Sequence, residues 1–92
     1  MTHVVVYDIE TDRVRGRVAT LLSGYGRRVQ ESVFECELEG RQLDDLLAGL
    51  KRELAQGGDG QVRVYRVCAN CMQASFGIGQ IKAVDTGSCY IV

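Results

Sequence analysis

The sequence predicts an α+β domain in which two helices cover one face of an antiparallel sheet. Three observations predict it. Extended apolar runs near the start, the middle and residue 61 alternate with two stretches of helical periodicity. Glycine-rich turns separate the segments. The 92 residues, 46% hydrophobic and 25% charged, have the size and make-up of one globular domain, residues 1–92, with a modest core.

Val4–Ile9 is the first strand, and its three valines and tyrosine show no polar alternation, so both of its faces should be covered. A helix follows from Asp12, a good N-cap residue, and carries Val14, Val18, Leu21, Leu22 and Tyr25 on one face. Gly24 and Gly26 end it. Arg28–Leu38 is strand two, and Gln42–Leu54 is the second helix, on the stripe Leu43, Leu46, Leu47, Leu50 and Leu54. Gly57-Gly58-Asp59-Gly60 is a turn, Gln61–Cys68 a strand, and a short strand is expected near Ala74–Ile78. The apolar tail Cys89–Val92 adds an extra C-terminal strand. The order β-α-β-β-α-β is the split βαβ, or ferredoxin-like, arrangement.

Two helices cover only one sheet face. Yet Val4 and Val6 oppose Val5, Tyr7 and Ile9, and Phe34 and Leu38 oppose Val29 and Val33. A second copy of the chain is the economical cover, which predicts a two-fold homodimer. The tail Tyr90-Ile91-Val92 could add to the partner's sheet edge.

No apolar run approaches the roughly 20 residues of a membrane span, and Met1-Thr2-His3 lacks the basic start of a signal peptide. A cytoplasmic protein without membrane partners is expected. Eleven basic and twelve acidic residues nearly balance, at a formal charge of −1. Their distribution is uneven. Five arginines (Arg13, Arg15, Arg17, Arg27 and Arg28) fall between Asp12 and Val29, whereas Glu31 to Asp45 holds six acids against Arg41. The first helix and the strand after it therefore carry a positive patch that suits a polyanion, since guanidinium matches phosphate bidentately. A solvated helix laced with salt bridges is the plain alternative.

Several enzyme classes drop out. Gly57-Gly58 and Gly77-Ile78-Gly79 are not followed by the Lys-Ser pair and helix of a phosphate loop. No serine, histidine and acid set exists for acyl transfer, because His3, at the N-terminal end, is the only histidine. Cys68-Ala-Asn-Cys71 has the spacing of half a zinc site or of a redox pair, but Cys36 and Cys89 stand alone. Reduced thiols, acting as small hydrophobes and loop residues, are the simpler reading.

Asp8 ends an apolar strand, where an unpaired buried carboxylate would be costly. It is a candidate metal ligand or catalytic carboxylate, or else it caps the first helix or pairs with Arg15 or Arg28. Glu10 and Asp12 could add oxygens for Mg²⁺, although solvated loop acids are the plainer assignment. Arg15 falls at the flank of the apolar stripe, with Arg13 and Arg17 farther out.

Tyr7-Asp8-Ile9, Arg15, and then Leu22 with Tyr25-Gly26-Arg27-Arg28-Val29-Gln30-Glu31-Ser32-Val33-Phe34-Glu35 carry a resemblance. The chain resembles the small CRISPR-associated endoribonuclease family, the non-integrase subunit of the CRISPR spacer-acquisition complex. The match is close over Val4–Glu39. Val62–Cys71 also resembles the family's third strand and its frequent cysteine pair, whereas the second helix and Gly77–Ser88 match only in general character.

The resemblance implies a ferredoxin-like homodimer in which the two Asp8 carboxylates face each other and share one Mg²⁺. That ion would activate water for phosphodiester hydrolysis. Arg15, Arg28 and Ser32 occupy motif positions near that site, with Phe34 in the adjoining strand. It further implies a dimeric scaffold that holds duplex DNA by its backbone and bridges integrase dimers during spacer acquisition. A metal-dependent endoribonuclease acting on single-stranded RNA is the alternative. A small-molecule-sensing regulatory domain is a third class, which the arginine cluster disfavours.

Overall fold

The computed structural model describes residues 1–57 and 59–79, together with the backbone of 90–91. β1 is Thr2–Ile9, α1 Asp12–Ser23, β2 Gly26–Gln30, β3 Val33–Glu37, α2 Gly40–Leu54 and β4 Gly60–Val67. A short helix, α3 (Ala69–Ala74), and strands β5 (Phe76–Gly77) and β6 (Tyr90–Ile91) follow. The main sheet runs β2-β3-β1-β4 with every neighbour antiparallel, which is the ferredoxin-like order.

The period-two pattern of β1 explains the layering. His3, Val5, Tyr7 and Ile9 point to the helices and are buried, whereas Thr2, Val4 and Val6 are half-buried on the other face and Asp8 is exposed there. Phe34 and Cys36 of β3 join the first set. Val14, Val18 and Leu22 of α1 close over it with Leu46 and Leu50 of α2, forming one core. The helix stripes are the ones the periodicity predicts.

Several boundaries differ from expectation. The extended stretch Arg28–Leu38 is two strands, broken by a turn at Glu31-Ser32, with a register shift between Arg28 and Gln30. Asp12 is the first helical residue; Thr11 is the N-cap and makes no side-chain capping bond. α2 starts two residues before Gln42, because Glu39 N–H donates to Gln42 Oε1 at 2.8 Å, as in a capping box. His3 belongs to β1 and is buried, with Nδ1 3.1 Å from the Met1 carbonyl. Cys68 and Cys71 are exposed, so they do not act as small hydrophobes; Cys68 is a connecting residue that caps α3, whereas Cys71 lies in its first turn rather than in a loop.

The short strand expected near Ala74–Ile78 is confined to Phe76–Gly77, since α3 takes up the preceding residues. Tyr90–Ile91 pairs in parallel with it inside the same chain. Cys89 and Val92, the ends of the expected last strand, lie outside the described residues, as do Gly58 and most of Gly77–Ser88.

Gly26 is required by close approach. A Cβ there would stand 2.2 Å from the Glu35 carbonyl oxygen and 2.7 Å from Cys36 Cα, both backbone atoms of β3. Among the described residues no helix is long and apolar enough to cross a membrane.

Candidate functional site

The face of the sheet away from α1 and α2 carries Val4, Val6 and Asp8 on β1, Val33 and Glu35 on β3, and Arg63 and Tyr65 on β4. Tyr65 is 50% exposed and Val29 of β2 is 37% exposed. One end of this face is partly occupied. Met72 of α3 is buried, and with Thr2, Arg27, Glu35 and Glu37 it lines a groove of about 250 Å³. The opposite end, at Asp8, is open.

Asp8 stands in the last turn of the β1 ladder opposite Gln61, and with Glu10, Asp59 and Gly60 it lines a shallow depression. Its side chain makes no hydrogen bond or ion pair among the described residues, with Arg15 and Arg28 included. Two anchors hold the strand end that carries it. On one side Arg15 reaches back from α1, donating from Nη1 to the carbonyls of Ile9 at 2.9 Å and Glu10 at 3.3 Å, and its Nη2 pairs with Asp12. Arg15 thereby fastens the β1–α1 loop, and Asp12 is engaged in fastening Arg15.

On the other side Tyr7 N–H donates to the Ser32 carbonyl at 3.1 Å, and the Tyr7 hydroxyl donates to the Glu31 carbonyl at 3.1 Å. The Arg28 guanidinium lies 5.3 Å from the Phe34 ring centroid, and its Nη2 is 3.5 Å from the Tyr7 hydroxyl. Tyr7 and Phe34 are tilted rings 6.3 Å apart. Asp8, Ser32, Phe34, Arg15 and Arg28 are thus brought to one end of the sheet. Tyr7 is the link between them that reading the sequence missed. Its signal was available, because it is the only residue of the apolar run Val4–Ile9 with a hydroxyl, and a buried hydroxyl needs a partner.

The other arginines do not form one patch with these. Arg17 pairs with Glu53 of α2 at 2.8 Å, and Arg27 pairs with Glu35 across the strands at 3.0 Å. Arg13 is exposed on α1 and makes no ion pair among the described residues. The charge block Asp12–Val29 is therefore spread over a helix, a sheet face and a strand edge, and is partly neutralised by acids of α2 and β3.

The residues fit Mg²⁺ only in a particular way. Among the described residues no three His, Cys, Asp or Glu side chains converge to hold a metal. Mg²⁺ keeps several waters and is commonly held by one or two carboxylates with substrate phosphates. Asp8, beside Glu10 and Asp59 in the same open depression, is a carboxylate of that kind, and the site fits such a loosely held, water-rich ion.

A ferredoxin-like α+β domain with an exposed, unpaired carboxylate at the rim of an uncovered sheet face is the class these features define. Residues 1–74 match the family described as CRISPR associated protein Cas2. The chain is 42% identical to a CRISPR-associated endoribonuclease Cas2 of Chloroflexus aurantiacus, over 95% of this chain and 87% of that one. It is 48% identical to a CRISPR-associated endonuclease Cas2 of Thermus thermophilus, over 92% and 82%. A chain of a solved partial Cas6-RT-Cas1–Cas2 complex superposes at a TM-score of 0.62 with 26% identity, covering 80% of this chain and 86% of that one. The chain belongs to the Cas2 family of CRISPR-associated proteins.

Proposed function

We propose that this chain is a CRISPR adaptation subunit: a homodimer that binds duplex DNA by its backbone and bridges integrase dimers, with a capacity for Mg²⁺-dependent phosphodiester hydrolysis at Asp8. The observation that carries the reading is the Asp8 carboxylate, exposed and unpaired at the open end of a half-buried face that α1 and α2 leave uncovered. The relatives' names, endoribonuclease and endonuclease, support the hydrolytic part. The likeness to a chain solved in a Cas1–Cas2 complex supports the integrase partner.

In this reading a second copy covers Val6, Val33 and Tyr65 and brings its own Asp8 to the first. The two Asp8 carboxylates would hold Mg²⁺, and the chemistry such an ion would supply there is a polarised water and a Lewis acid for a phosphate oxygen. The chain's own contribution is orientation. Arg15 holds the loop after Asp8, while Tyr7 and Arg28 hold the strand end to the Glu31-Ser32 turn, so the carboxylate sits on fixed backbone. Exposed Arg13 and the outer edge of Arg28 meet phosphates.

The test compares wild type with Asp8→Ala in salt-titrated duplex binding, Mg²⁺-dependent cleavage of RNA and DNA, and spacer integration with the partner integrase. Removing a carboxylate near phosphates relieves repulsion, so duplex binding and integration should persist or strengthen while cleavage disappears. Loss of integration with dimer and DNA binding intact would overturn the scaffold role and make metal chemistry at Asp8 central.

A further inference from the structure

Cys68 and Cys71 take no part in the site above. β4 ends at Val67, Cys68 precedes α3, and the Met72 N–H donates to the Cys68 carbonyl at 3.0 Å, closing a helical turn over them. That turn sets the Cys71 thiol in hydrogen-bond contact with the Cys68 sulfur, so the two sulfurs already adjoin, and closing the disulfide draws their Cβ atoms to about 3.5–4.5 Å. Met72, in the same turn, is buried, so the turn is anchored to the sheet while both thiols face solvent.

The two sulfurs are chemically unequal. The Cys71 backbone N–H and thiol beside the Cys68 sulfur hold that thiol below its ordinary pKa, and the same contact raises Cys71. Cys36 is the internal contrast: it is sealed in the core, and burial pushes it up to about 11. An attacking thiol beside a resolving thiol is the pairing that thiol–disulfide exchange requires.

We propose that Cys68 and Cys71 form a reversible dithiol–disulfide site that exchanges with small-molecule disulfides of the glutathione class. The Cys68 thiolate attacks one sulfur of the small disulfide, breaking its S–S bond. A mixed disulfide forms on Cys68, and one small thiolate leaves and takes up a proton. Cys71, deprotonated to solvent, then attacks the Cys68 sulfur and expels the second small thiolate. Two protein thiols are oxidised to one disulfide, and one small disulfide is reduced to two thiols.

The experiment uses the full chain carrying Cys89→Ser, in chelator, incubated with oxidised glutathione and mapped by mass spectrometry. The expected product has lost two hydrogens, retains no glutathione, and yields a peptide linking Cys68 to Cys71; dithiothreitol restores both thiols. Adding Cys71→Ser should trap one glutathione on Cys68, whereas Cys68→Ser should abolish the linked peptide and slow adduct formation at least tenfold. Circular dichroism on each variant reads the fold separately. A wild-type pair that stays reduced, or that accumulates glutathione without closing, overturns the proposal. So does trapping on Cys71 as fast as on Cys68. Each outcome leaves the DNA and integrase reading untouched, because neither cysteine belongs to that site.

Discussion

Val6→Glu gives a direct measure of whether the open sheet face is covered by a second copy. Val6 sits near the centre of that face, half-buried, opposite Val33 on one neighbour strand and Arg63 on the other. In a single chain the new carboxylate reaches solvent and lies beside the Arg63 guanidinium, so folding stability should change by less than about 1 kcal/mol. In a face-to-face dimer the same group becomes buried twice, once per copy. Leaving a buried charge uncompensated costs roughly 3–5 kcal/mol, and Arg63 opposite offsets part of that, leaving about 2 kcal/mol per copy. Two copies lose about 4 kcal/mol, close to a thousandfold in the dimer dissociation constant.

Sedimentation velocity across a concentration series, in chelator so that no cation bridges the acids, reads the association. A thermal melt of the same samples reads the fold. If Val6→Glu dimerises as tightly as wild type, the open face is not the interface. If wild type is monomeric at micromolar concentration, the two-copy reading of Asp8 fails with it.

Other expectations follow from single residues. Gly26→Ala should lower urea stability by more than about 2 kcal/mol because the new Cβ meets β3 backbone, whereas Gly16→Ala, with open space around it, should gain up to about 1 kcal/mol; equal effects would refute the close-approach argument. Arg13→Ala should weaken duplex binding for all sequences alike and flatten the log–log salt slope by about 0.9 for each copy whose Arg13 meets a phosphate, and an unchanged slope would remove Arg13 from the DNA surface.

Cys36 is an acid whose folded pKa is raised, so its neutral form is the one the fold favours. Its contribution is fully present below pH 9.0, the ordinary thiol value, and is lost as pH rises toward about 11, because the unfolded chain releases the proton first. The stability difference between wild type and Cys36→Ala should therefore drift across pH 9 to 11 and be flat below it, in denaturant titrations at each pH.

Local periodicity determined a great deal. The two-residue repeat of an extended Val4–Ile9 and the 3.6-residue stripes of Val14–Leu22 and Leu43–Leu54 specify which side chains share a face before any partner is known, because side-chain direction repeats with the backbone. The sequence placed Asp8 at the end of an apolar strand, where burial would be costly; the fold leaves it exposed, on the face opposite Tyr7 and Ile9. The hairpin break was harder to see, since Glu31-Ser32 lacks the glycine or asparagine that usually marks a two-residue turn.

Partners distant in sequence were beyond local reading. Five arginines within a short stretch read as one patch, yet Arg17 meets Glu53, thirty-six residues away, and Arg27 meets Glu35 across a strand pair whose register is set by packing. Arg15 could be placed beside the apolar stripe, but that it holds the Ile9 and Glu10 carbonyls depends on how the β1–α1 loop closes. His3, judged by its nearness to the chain end, is buried because β1 runs between two neighbours from Thr2 onward. Residue direction is a short-range property of the backbone. Pairing and exposure are properties of what the fold brings alongside, and the tertiary structure decided those.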